Sequence, residues 1–435
     1  ASTEILGNGG GVLRLPPASD PMPAVLSAAA FGPTIVIVPA VEQAMLLAAR
    51  IRRSGLSTAV MPNDWAAAAG GVDIVIGART AAWAPCPELA AAVVIDEHDE
   101  ALQEEGSPTW HARDVMIERC RRVNAPLLLV SPAPTLTALE WGPLTRPPHR
   151  RERDGWPLID VIDRSDQEPW KRSLVTTELV QHLRDPGRVV VCISNTTGRA
   201  RLLACRQCRE LTRCEQCDAA VVLSDEGQLV CLRCHTVRPQ VCLRCGAGRF
   251  ANLRPGVTRL REELEAAAGR PAVLVTGTGP ERPPEAGVYV GTEAALHRVE
   301  RADTVAFLDF DREVLAPRYR AGEQAMALLV RAARLVGPRG RGGRVLVQTF
   351  VPDHEVIQAA LLADPGRIVE GERQRRQMLS LPPYGAYAEI SGAGSDEFIA
   401  SVPHRDGVAI VGGDGEYVAK AGDWMDLGRA LNAGV

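Results

Sequence analysis

Eight of the eleven cysteines fall in four Cys-x-x-Cys pairs: Cys205 and Cys208, Cys214 and Cys217, Cys231 and Cys234, and Cys242 and Cys245. A turn of this kind aims two thiolates at one ion with bonds of about 2.3 Å, and a closed tetrahedron needs two such turns. The four pairs therefore predict two zinc ions. With sulfur in every position no site remains for a substrate water, so both ions are read as structural. Their binding energy supports a Gly-, Arg- and Cys-rich segment with few apolar side chains. Four pairs can be matched in three ways, and spacing alone does not choose. His235 follows Cys234, but eight thiolates leave it no vacancy to fill. Cys86, Cys120 and Cys192 lie outside the array and read as buried small apolar residues.

A second group with chemical potential is Asp96-Glu97-His98-Asp99, directly after an apolar run. An Asp and Glu there could hold Mg²⁺ and polarise a water in phosphoryl transfer. The favoured expectation is the plainer one, a solvated acidic loop at a strand end. Basic clusters offer a different chemistry, because single-strand or fork binding needs Arg or Lys for phosphates and aromatics for stacking. The candidates are Arg339, Arg341 and Arg344 in a Gly-rich stretch, and Arg373, Arg375 and Arg376 ahead of Pro382, Pro383 and Tyr384. Arg206, Arg209, Arg213, Arg233 and Arg244 decorate the cysteine pairs. A net charge of −4 supplies no whole-molecule attraction to nucleic acid, so any contact must be local. Trp83 and Trp110 are expected in the core.

The elements that position these residues are legible as short β-branched runs separated by helical stretches. Residues 34–39, 72–77, 91–95 and 126–130 read as strands and 41–53 as a helix, the alternation of a parallel α/β sheet. After a Pro- and charge-rich junction at 143–171 the texture returns at 188–193, 271–275, 287–290, 304–308 and 344–350. The cysteine array interrupts this second unit. Residues 275–287 and 336–343 read as loops, and a small mixed domain follows from about residue 367. A chain of 435 residues exceeds a single ordinary core. The start, ASTEILGNGG, has no basic region followed by an apolar one, and a cytoplasmic setting is expected.

In this order the chain resembles the bacterial replication-restart family of PriA, or primosomal protein N′. The resemblance is carried by IVIVPAVEQ (35–43), VIGARTAAWAPCPEL (75–89), HARD (111–114), SPAPTL (131–136), GTEAAL (291–296), LLVRAARLVG (328–337), VLVQTFVPDHEVIQAAL (345–361) and ERQRRQMLSLPPYG (372–385). It implies an α/β fold of two RecA-like, P-loop-type helicase lobes, with a two-zinc, all-cysteine insertion in the second and a small α+β C-terminal domain. The expected divisions are 1–142 for lobe 1, 143–204 and 247–366 for lobe 2, 205–246 for the insertion, and 367–435 for the last domain. The resemblance also implies a nested pairing, Cys205, Cys208, Cys242 and Cys245 on one ion and Cys214, Cys217, Cys231 and Cys234 on the other. Implied partners are forked and single-stranded DNA, the replicative helicase or its loader, other primosome proteins and single-stranded-DNA-binding protein. No membrane partner is expected, and a nucleoid-associated location is. The family also carries an N-terminal domain for the nascent 3′ end; it is not expected within this chain, which is expected to be part of a longer protein.

The chain departs from a working helicase at its nucleotide positions. A P-loop needs glycine N–H groups, a Lys for the phosphates and a Ser or Thr for Mg²⁺. The matching place holds Leu15, Pro16, Pro17, Ala18, Ser19, Asp20 and Pro21, where three prolines lack N–H donors and Asp20 would repel a triphosphate. The upstream GNGGG is expected to be a flexible connection. Aligned on His98 and Asp99, the family's metal-binding Asp falls on Ile95, and only Glu97 keeps its place. The two arginine fingers fall on Leu335 and Pro338, the paired arginines before the insertion on Thr196 and Thr197, and the third motif on Ser131-Pro132-Ala133. The expectation is a degenerate helicase scaffold that binds abandoned forks and D-loops and promotes helicase reloading without ATP turnover. The alternatives are an active ATP-dependent 3′→5′ DNA helicase and a zinc-ribbon protein-interaction module.

Overall fold

The computed structural model describes residues 1–106, 109–165, 174–194, 203–224, 226–252 and 257–433. Its first lobe is built on a seven-stranded sheet. From edge to edge the strands are Thr58–Val60, Ile74–Gly77, Thr34–Ile37, Ala91–Ile95, Leu127–Ser131, Gly10–Arg14 and Leu144–Thr145, every neighbouring pair parallel. Central strands such as Ile74–Gly77 and Ala91–Ile95 are buried along their whole length. That burial explains why they read as unbroken apolar runs, since helices cover both faces of a parallel sheet.

The stretch expected as a flexible connection instead leads into a strand that lies one in from the edge of the sheet. Gly10–Arg14 pairs in register with Leu127–Ser131, and a Cβ at Gly10 would lie 2.4 Å from the Leu127 carbonyl oxygen. Glycine there permits close backbone approach rather than mobility. The sheet also runs past the expected division at residue 142, because Leu144–Thr145 pairs with Val12 and Leu13. The supposed junction contributes a further helix, His149–Asp154, and the edge strand Leu158–Asp163 of the second lobe.

The second lobe holds a six-stranded parallel sheet in the order Leu158–Asp163, Arg344–Thr349, Thr304–Phe307, Val190–Ile193, Val288–Gly291 and Ala272–Val275. The helix Ala321–Val336 packs on it through Ala325, Met326, Leu329, Val330, Ala333 and Val336. Parallel sheets in both lobes match the expected pair of RecA-like α/β lobes, and the cysteine-rich module interrupts the second.

That module opens and closes on an antiparallel pair, Leu203–Cys205 with Phe250–Asn252. The C-terminal part is an antiparallel sheet of Ala386–Ser391, Glu416–Ala421 and Val408–Gly413 with helices Ser395–Ser401 and Trp424–Asn432. Among the described residues no helix is long and apolar enough to cross a membrane.

Candidate metal centres and the cleft between the lobes

The four cysteine pairs share one local geometry. In each, the residue after the second cysteine adopts a left-handed conformation: Arg209 at φ 68°, Asp218 at 61°, His235 at 59° and Gly246 at 75°. The N–H of that residue donates to the carbonyl of the first cysteine at 2.9–3.0 Å in all four turns. The first cysteine's own N–H donates five residues ahead, to Glu210, Ala219, Thr236 and Ala247. The turn thus leaves both sulfurs pointing the same way. His235 serves as the left-handed residue of its turn and is not among the gathered donors.

The turns converge as Cys205, Cys208, Cys242 and Cys245, and as Cys214, Cys217, Cys231 and Cys234. Sulfurs stand 3.6 Å apart for Cys205 and Cys245, and 3.5 Å for Cys208 and Cys242, Cys214 and Cys234, and Cys217 and Cys231. A tetrahedron with bonds of about 2.3 Å has edges of about 3.8 Å, whereas a disulfide would bring the sulfurs to about 2.05 Å. Both groups therefore fit a tetrahedral thiolate site for zinc and neither is a disulfide. The module is fixed to lobe 2 by Ala220, whose N–H donates to the Leu315 carbonyl at 2.7 Å, and by Arg233, which donates to the Ala316 carbonyl at 2.6 Å. Outside the array, burial pushes the Cys120 and Cys192 thiols up to about 12, as expected of inert core residues, while Cys86 is only half-buried.

The acidic segment is not a solvated loop. Asp96, Glu97, His98 and Asp99 are all buried, and each has a committed partner. Glu97 turns into lobe 1, accepting from the Thr135 N–H at 2.7 Å, the Thr135 hydroxyl at 3.0 Å and Arg113 at 3.2 Å. His98 hydrogen-bonds the Ser131 hydroxyl at 2.8 Å, and burial lowers its pKa from the ordinary histidine value. Asp96 and Asp99 face lobe 2. Arg334 forks onto both Asp96 oxygens, one at 2.6 Å, and its Nε donates to the Pro17 carbonyl at 2.8 Å. Arg331, one turn earlier on the same helix, meets Asp99 at 2.6 Å. Burial alone would raise the Asp96 carboxyl, but the Arg334 charge overrides it and the net shift is downward.

This pairing lies beside the loop 15–21 that the resemblance aligned with a P-loop. A cavity of about 210 Å³ remains, lined by Leu15, Pro16, Pro17, Ser19, Asp96 and Arg334 among others. Sites for drug-sized ligands run from about 300 Å³ upward. The Ser19 N–H donates to the Pro16 carbonyl at 3.0 Å, and Asp20 accepts from Met22 N–H at 3.0 Å and from Arg50 at 2.9 Å, so this loop is closed on itself. Leu335 packs against the lobe 2 core, and Pro338 precedes the turn Arg339–Arg341. Arg334, one residue from Leu335 and four from Pro338, is the arginine that reaches across to lobe 1; its spacing of three from Arg331 was the available signal. Thr196 and Thr197 lie outside the described residues.

The basic candidates separate by environment. Arg376 is the clear correction: it is buried, bound to Glu323 at 2.8 Å and Glu372 at 3.0 Å, and it cannot reach a phosphate. Arg375 is paired with Glu355 and Glu372, Arg373 with Glu140 and Glu370, and Arg344 with Asp160. Tyr384 is half-buried beside Arg373 and Glu140. Arg339 and Arg341 form no ion pair among the described residues, and Arg341 is exposed. Of the module's arginines, Arg233 is spent on carbonyls, Arg213 meets Asp218 and Arg244 meets Glu210. Trp83, expected in the core, is 55 % exposed and packs edge-to-face on Trp110 with ring centroids 5.5 Å apart.

No family model matches the chain. The replication restart protein PriA of Bacillus subtilis is 26 % identical over 367 residues, 77 % of this chain and 45 % of the relative. PriA of Thermotoga maritima is 26 % identical over 370 residues, 78 % of this chain and 49 % of the relative. The chain spans about half the length of the curated relatives it matches. Among solved structures, Saccharomyces cerevisiae Dbp5 bound to RNA and ADP BeF3 aligns with a TM-score of 0.44 at 11 % identity, covering 85 % of this chain and 89 % of the other. A DExH-box NTPase of Escherichia coli, HrpB, aligns at 0.41 and 12 % identity, over 81 % of this chain and 40 % of the other. Likeness at that level carries no argument about activity. The sequence matches, the two parallel α/β lobes and the paired cysteine sites agree with one another: over 77–78 % of its length this chain is similar to the replication restart protein PriA.

Proposed function

We propose that the chain is a replication-restart factor that binds abandoned forks and D-loops and promotes reloading of the replicative helicase, with no ATPase activity of its own. The observation that carries the second half is Arg334 on Asp96, a fixed cation on the carboxylate nearest the place of Mg²⁺, beside a loop whose prolines lack phosphate-binding N–H groups. Phosphoryl transfer depends on positioning and charge stabilisation, and here the groups for both are absent or engaged elsewhere. The relation to PriA supports the first half. DNA forks are the proposed ligand, loader or replicative helicase and single-stranded-DNA-binding protein the proposed protein partners, and the cytoplasm beside the nucleoid the proposed setting.

On this reading each cysteine group holds one structural Zn²⁺, which shapes the module as a platform for partner contact. ATP turnover has no part in this reading. The test is ATP hydrolysis by the zinc-loaded protein with and without forked DNA, alongside fork binding at several salt concentrations. Fork binding that weakens steeply with salt, without stimulated turnover, is the expected result. DNA-stimulated turnover would establish an active helicase instead, and no fork binding would leave only a protein-interaction module.

A further inference from the structure

The helix Ala321–Val336 belongs to lobe 2, yet the side chains along one of its edges are spent on lobe 1. Besides Arg334 on Asp96 and Arg331 on Asp99, Gln324 donates to Glu100, and Arg320, just before the helix, lies 3.7 Å from Glu100. Glu323 accepts the Leu136 N–H at 2.7 Å. Five residues at helical spacing thus meet a short stretch, 96–100, and the start of the helix Leu136–Trp141. The opposite edge is locked into the lobe 2 core, so the helix cannot shift without taking its lobe with it. At the centre Asp96 is 2 % exposed. Removing Arg334 would leave that carboxylate buried and unpaired, a state relieved by parting the lobes.

We propose that this row is an ionic clamp that holds the two lobes closed without nucleotide, Arg334 standing in for the cation and phosphate that would otherwise join them. The inference rests on the reading that the cleft takes no nucleotide, and it adds that the closed arrangement is constitutive and is loosened by salt. A scaffold closed in this way presents the same surface to DNA at every nucleotide concentration.

The experiment uses the full zinc-loaded chain. Small-angle X-ray scattering reports lobe separation, and hydrogen exchange reports the amides of 96–100, each with and without MgATP. The wild type is expected to give one compact profile under both conditions. The double variant R331A/R334A is expected to expand and to exchange at 96–100 roughly tenfold faster or more, with circular dichroism and zinc content unchanged. D96N, which keeps the shape and removes the charge, should shift both readouts the same way by less, and serves if the double variant fails to fold. A wild type that compacts on adding MgATP, or variants with the wild-type profile and exchange, would overturn the clamp. Fork binding measured on the same samples keeps the two ideas apart: its loss in the wild type would count against the fork reading and leave the clamp standing.

Discussion

Replacing Glu323 by Gln tests whether the lobe interface is held as the geometry describes. One oxygen of Glu323 accepts the Leu136 N–H at 2.7 Å, and the other faces Arg376 at 2.8 Å and Arg320 at 3.1 Å. Glutamine keeps the volume and one acceptor, but turns an amide donor toward two guanidinium groups that have only donors. Arg376 retains Glu372 and Arg320 retains the more distant Glu100, so the loss is less than full abandonment of a buried pair. Full abandonment costs about 3–5 kcal/mol, and with these partners left we expect about 2–3 kcal/mol. Burial alone would raise the Glu323 carboxyl, but Arg376 and Arg320 override it and hold it at about 2, against 4.5 for a free glutamate. That difference corresponds to about 3 kcal/mol, in agreement. Because the folded pKa is depressed, this contribution is complete above pH 4.5 and is lost as the pH falls toward 2. Urea unfolding followed by tryptophan fluorescence should therefore show the variant weaker by that amount at pH 7, with the gap narrowing below pH 4.5. A variant within about 0.5 kcal/mol of wild type at pH 7 would refute the reasoning.

Other outcomes follow from the same geometry. Native mass spectrometry should find two zinc ions per chain, C217S should retain one, and chelation of both should unfold the module, since structural zinc supplies about 10–16 kcal/mol. R339A/R341A should weaken fork binding and flatten its salt dependence, by up to about two in log–log slope for two lost phosphate contacts, as read by fluorescence anisotropy. R376M should lower stability by about 2–4 kcal/mol in thermal unfolding, yet leave the fork affinity of the folded fraction unchanged. In the native protein at pH 8, Cys120 and Cys192 should resist iodoacetamide, because burial pushes both thiols up to about 12; labelling as fast as a free cysteine would show the assigned burial to be wrong.

Local rules made much of this protein legible. A Cys-x-x-Cys turn is a self-contained device, its left-handed residue and its two hydrogen bonds lying within six residues, so the sequence alone named the eight cysteines that gather into two four-sulfur groups. Buried parallel strands such as 74–77 and 91–95 announce themselves as apolar runs. Gly10–Arg14 did not, because its glycines serve close approach to Leu127, which is 117 residues away in the chain. The cysteine pairing, open on spacing alone and implied only by the resemblance, gathers in the structure as the nested groups; only the tertiary structure decided which arginines are spent on carboxylates and that Asp96 is buried against Arg334. Those outcomes depend on groups brought together across 20 to 238 residues, and the free energy of an ion pair depends on burial and partner distance, neither of which is written in a single stretch of sequence. The acidic segment 96–99 reads the same whether it faces water, a metal or an arginine, and the fold chose the arginine.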